Sequence, residues 1–107
     1  MDAEGHTGAK NTGASALLCA SRAGHVGVVQ FLLTFGASVD LAKPNGVTPL
    51  YVASQKNHIE VVTVLLDAGA AVDLAADNGC TPLHIACQFN NIEVVTVLLD
   101  GGACLLY

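Results

Sequence analysis

An all-α solenoid of stacked helix–turn–helix units is the fold class this sequence predicts, and three observations carry that prediction. The nine residues IEVVTVLLD occur twice, at Ile59–Asp67 and at Ile92–Asp100, 33 residues apart. The likeness extends well past those nine: residues 45–74 match residues 78–107 at 19 of 30 positions, and residues 12–44 match 45–77 at 15 of 33. Finally, each unit reads as a turn, a short helix, a reversal and a longer helix, which is too little to bury its own apolar face. Stacking such units builds a core that no single one has.

The long helix has to be argued against its own composition. Val and Thr are β-branched, so VVTVLL alone favours a strand. The polar positions decide otherwise. Glu60, Thr63 and Asp67 are spaced three and four apart, which puts them on one narrow helical stripe. The apolar positions wrap most of the circumference, as in a helix held between neighbours. Gly36, Gly69 and Gly102 lie just beyond the three long helices, where a left-handed cap is needed. The short helix has its own start signals: Thr48 and Thr81 are good N-caps, and Pro49 and Pro82 stand at the first helical position, where a missing N–H is no loss. Gly24, Asn57 and Asn90 end it, the residue types that enter the left-handed region most readily.

Bulk properties narrow the function classes. The 107 residues fit one domain, with 52% apolar and 12% charged residues, enough for a core. The formal net charge is −5, and the four Lys and Arg are dispersed, so no cluster exists to displace counterions from a phosphate backbone. Nucleic acid is therefore not the expected partner. The opening MDAEGHTGAK has neither a positive start nor an apolar run, so it does not read as a signal peptide, and no stretch is apolar enough to span a membrane. A cytoplasmic or nuclear location follows as the expectation. Cys19, Cys80, Cys87 and Cys104 show no C-x-x-C spacing and share no repeat position, so reduced thiols are expected.

NGVTPLYVASQKNHIEVVTVLLDAGAAVD and NGCTPLHIACQFNNIEVVTVLLDGGA resemble ankyrin repeats, whose pattern runs G-x-T-P-L-H-x-A-A, then G-H, then V-x-x-L-L ending in G-A. The likeness covers about residues 10–107, with repeats near 12–44, 45–77 and 78–107, and leaves residues 1–9 as a flexible N-terminal tail. The first repeat departs from the pattern, carrying Ser15-Ala16-Leu17-Leu18 in place of T-P-L-H. The fold expected is thus an ankyrin-repeat solenoid.

Candidate chemistry is thin. The resemblance implies that His84, in the T-P-L-H slot, hydrogen-bonds turn backbone and helps join repeats. Leu18 and Tyr51 stand in that slot elsewhere, so the linkage should be incomplete. His25 and His58 share the entry to the long helix, a structural place, and side chains a whole repeat apart are not a metal site. Glu60 and Glu93 recur with the fold, as do Asp67 and Asp100, which marks a solvated face and not a tuned acid–base pair. No phosphate-binding glycine loop and no catalytic grouping emerges, so neither enzyme activity, metal nor cofactor is expected. Cys80 sits beside Gly79 in a turn with no cation next to it in sequence, and no activated thiolate is expected there. Cys19 and Cys87 read as small core residues of the short helices.

Function is expected at the positions that packing leaves free to differ. The resemblance implies that a protein partner is held by the concave face, made of turn tips and the exposed side of the short helix. Those places are Arg22 and Ala23, then Lys43, Asn45, Val47, Gln55 and Lys56, then Asp77, Asn78, Cys80, Gln88 and Phe89. Lys56 in one copy becomes Phe89 in the next while the helix behind is identical. An exposed Phe there is a plausible anchor, and packing against a neighbouring repeat is its bland alternative. A second surface is the last repeat, with Val94, Val97, Leu98, Leu105, Leu106 and Tyr107. Left uncovered, that surface favours self-association, two-fold if the face pairs with itself, or implies that the array was longer. The first reading is a non-catalytic protein-interaction module. The alternatives are an assembly unit joined through its apolar ends and a designed repeat scaffold.

Overall fold

A computed structural model of the chain describes residues 16–103. The expected tail, residues 1–9, lies outside them. The helices come in pairs. Residues 16–23 form α1, followed by α2 (Val26–Thr34), α3 (Pro49–Gln55), α4 (Ile59–Asp67), α5 (Pro82–Gln88) and α6 (Ile92–Asp100). No strand occurs among the described residues.

The start and stop signals act as their chemistry dictates. Thr48 and Thr81 adopt extended backbone and accept hydrogen bonds from the N–H groups of Tyr51 and His84, with Pro49 and Pro82 next in line. Asn57 and Asn90 hold φ of 63° and 60°, so the reversal between short and long helix runs through the left-handed region, which Asn tolerates. Each long helix ends in a Schellman motif. After α4 the Ala70 N–H donates to Leu65 O and the Gly69 N–H to Leu66 O, both at 3.0 Å. Gly69 supplies the positive φ of 94° that this closure needs.

The pairs stack in two layers. α3 packs on α5 in one layer, α2 on α4 and α4 on α6 in the other, and α3–α4 and α5–α6 pack within their pairs. One apolar core threads the whole stack, built from equivalent places: Leu17, Leu50 and Leu83 on the short helices, Val29 and Val62, then Leu65 and Leu98 on the long ones. The exposed stripe of α4 is Glu60, Thr63 and Asp67, the three residues whose spacing marked it as helix. Among the described residues no helix is long and apolar enough to cross a membrane.

Between pairs the chain makes a tight finger. Lys43 N–H donates to Val47 O and Ala76 N–H to Cys80 O, closing the two tips. Successive fingers touch, because Asp77 N–H donates to Asn45 O at 2.9 Å. Gly46, at φ +82°, makes room for this: a Cβ there would lie 2.9 Å from Asp77 Oδ1 and 3.0 Å from its backbone nitrogen. A second, smaller apolar cluster of Tyr51, Ala76 and Ile85, with Val47 and Cys80 packed against it, ties the fingers to the short-helix layer.

Candidate partner-binding surface

Fingers and short-helix ends form one side of the stack, and the residues expected to contact a partner divide there into three kinds. Arg22, Lys43, Lys56, Asp77, Gln88 and Phe89 are exposed, and Gln55 is half-buried. Phe89 keeps 50% of its surface open, so it does not pack away against a neighbouring repeat. Asn45 and Asn78 are exposed, yet their side-chain oxygens are engaged. Asn45 Oδ1 accepts from Val47 N–H at 3.1 Å and Asn78 Oδ1 from Cys80 N–H at 2.9 Å, so each shapes its own finger tip. Val47 and Cys80 are half-buried in the Tyr51 cluster and serve mainly to seat the fingers.

Joining of repeats falls to residues at the long-helix entry. His58 Nε2 donates to Arg22 O across 2.7 Å, reaching back to the end of the preceding short helix. Its ring lies over Gly24, where a Cβ would stand 2.6 Å from Nδ1. One repeat on, Asn91 Nδ2 donates to Ser54 O at 2.8 Å and Gln55 O at 3.1 Å. His84 does something different: its Nδ1 accepts from Thr81 N–H at 3.2 Å, completing a capping box within its own turn. Tyr51, in the same slot, has no such reciprocal bond and packs instead. His25, at the same entry as His58, is exposed and makes no cap hydrogen bond.

Two sets of expectations need correction. Cys19 and Cys87 are exposed, not core. Their equivalents, Val52 and Ile85 for the first and Ser21 and Ser54 for the second, are buried because a neighbouring pair covers them. Cys19 faces the side before α1–α2 and Cys87 the side after α5–α6. In the last repeat Val94 and Leu98 are fully enclosed and cannot form an end surface. Val97 is half-buried, while Leu105, Leu106 and Tyr107 lie outside the described residues.

The end surfaces that the structure exposes are made of other residues. On α2, Val28, Phe31 and Phe35 are 49%, 61% and 76% exposed, the two rings 4.6 Å apart between centroids. On α6, Ile92 is 68% exposed, beside half-buried Val95. A signal for the first patch was present in the repeat comparison, since Phe31 and Phe35 stand where the other copies carry Val64 and Val97, and Ala68 and Gly101. Among the described residues no three His, Cys, Asp or Glu side chains converge as metal ligands would.

Paired helices stacked in two layers, joined by fingers on one side, define an α-solenoid repeat protein. A family model described as ankyrin repeats, three copies, matches residues 2–76 and again residues 36–106. The chain belongs to the ankyrin-repeat family. A comparison with curated proteins found no match.

Proposed function

We infer that this chain, like ankyrin repeats generally, is a protein–protein interaction module without catalysis. We propose that this chain binds another protein through its finger and short-helix side, the concave face the family resemblance implies. The observation that carries this reading is the contrast at one repeat position. Lys56 and Phe89 are equivalent and both exposed, while the long helices behind them are identical in sequence. Packing therefore leaves this position free, and a half-open Phe in a polar setting suits an interface anchor. Arg22, Lys43, Gln55, Asp77 and Gln88 are the further residues of this reading, spread over the three repeats.

The test is selection of binders from a displayed protein library on the wild-type chain, followed by titration on a variant combining Gln55→Ala, Lys56→Ala and Phe89→Ala. Binders are expected to lose at least about tenfold in affinity, the size of one interface anchor. Changing Glu60 and Thr63 on the opposite side should leave them unaffected. Binders indifferent to the triple variant but sensitive to the long-helix side would sink the reading.

A second reading, self-association, is favoured by the exposed apolar side chains at the two ends of the stack: Val28, Phe31 and Phe35 at one, Ile92 and Val95 at the other. Concentration-dependent mass in solution checks it directly.

A further inference from the structure

We infer that copies of this chain stack head to tail, the outer side of α5–α6 in one molecule receiving the outer side of α1–α2 in the next, in the register its own repeats use. This rests on the self-association reading and replaces the two-fold contact expected from the sequence with a directional one.

Repeat equivalence shows what each end lacks. Val28, Val61 and Val94 occupy one place; Val61 and Val94 are enclosed against the preceding pair, whereas Val28 is half open. Cys19 is exposed where Val52 and Ile85 are covered from the same side. At the other end the pattern inverts. Ser21 and Ser54 are fully buried by the following pair and Cys87 is not; Val29 and Val62 are fully buried and Val95 is half open. A shallow groove of about 240 Å³, lined by Cys87, Asn91, Ile92 and Val95 among others, marks that side. One end thus carries the half-interface that the other end is built to receive, and the same joint is made twice inside the chain.

The polar part of the joint tells the same story. His58 and Asn91 each reach back to carbonyls at the end of the preceding short helix. His25 is their equivalent at the first end, and the carbonyls of Cys87 and Gln88 are the equivalent acceptors at the last. A symmetric contact would set donor against donor and bring no side-chain donor to those carbonyls, of which Cys87 O already accepts from Asn90 N–H at 3.1 Å. Besides Phe31 and Phe35, which stand in the places of Val64 and Val97, and of Ala68 and Gly101, two further differences set the joint between molecules apart from the internal ones. Asp40 accepts from Ala71 N–H with both oxygens at 3.1 Å, but Leu106 stands where a carboxylate would be needed to repeat this bond. The internal bridges are also matched pairs, His58 over Gly24 and Asn91 beside Asn57, whereas docking brings His25 to Asn90. Asn90 has the Cβ that Gly24 lacks, so the imidazole cannot sit as closely as His58 does.

A directional contact does not close on itself, so growth past the dimer is its signature. The test is sedimentation velocity of the full chain over a wide concentration range, with two variants at highly exposed sites. Phe31→Glu blocks the first end and Ile92→Glu the last. Wild type should grow beyond a dimer, each variant alone should stay monomeric, and their equimolar mixture should form a dimer and stop. Val28→Lys and Val95→Lys serve as a second pair should either first variant lose its helical spectrum. His25→Asn should tighten assembly by about fivefold, one neutral hydrogen bond restored to good geometry, because Asn91 beside Asn57 already makes that fit. A wild-type dimer that never grows, with no complementation between the variants, would overturn head-to-tail stacking and leave symmetric self-association standing. A wild-type monomer at every concentration would overturn both, and His25→Asn without effect would overturn the register.

Discussion

Helices α4 and α6 have the same nine residues and different surroundings. Ile59 is half-buried in α4, while its twin Ile92 is mostly exposed; Val62 is sealed where Val95 is half open. Yet Val61 and Val94 are equally enclosed, as are Leu65 and Leu98. Identity of sequence therefore fixes the helix and its bounds, but burial is assigned by neighbours. Positions facing the preceding pair are filled in both helices, and positions facing the following pair are filled only in α4. In a stack, a residue's energetic weight belongs to the joint it enters.

The largest effect should fall where the twins agree. Leu65→Ala and Leu98→Ala each remove a fully buried side chain and should each cost about 3 kcal/mol, read from urea denaturation. A large gap between them would mean that an end pair unfolds by itself and the comparison is not of one cooperative unit. Next come the twins that differ. Val62→Ala should cost about 2 kcal/mol, two buried carbons plus a cavity, and Val95→Ala less than about 1 kcal/mol, since it is already half solvated. Equal costs would show that something covers Val95 in solution, which is what head-to-tail stacking requires at high concentration. The smallest effect concerns the caps. Thr48→Ala should cost about 1 kcal/mol, and Thr81→Ala slightly less, because the backbone N–H at 81 survives the change and still donates to His84 Nδ1. A thermal-melt series on the two variants decides the order.

Most of the fold was legible because it rests on local chemistry. Thr-Pro at a helix start, Asn in the left-handed region and Gly at a Schellman closure are each decided within a few residues, and each repeats at the same period. The joints were less legible. Cys19 and Cys87 look alike in sequence, small residues on short helices, and nothing local says that one faces the beginning of the stack and the other its end. The same blindness hid Phe31 and Phe35 as an exposed patch and placed buried Val94 and Leu98 at a surface. It also gave His84 the task of joining repeats that His58 and Asn91 perform, since a hydrogen bond spanning 36 residues leaves no mark in spacing. On the candidate binding side, exposure of Arg22, Lys56 and Phe89 could be read from variation between copies. The engagement of Asn45 and Asn78 in their own finger tips could not, because an Asn free to bind and an Asn shaping a turn are the same letter.

The short reach of these joints bears on how the chain acquires its shape. The repeat-to-repeat hydrogen bonds span 31 to 37 residues. Ordering one pair against its neighbour therefore closes only a modest loop, and the entropic toll does not grow as the stack lengthens. Any pair can then serve as the start, and order spreads from it to its neighbours as a one-dimensional process.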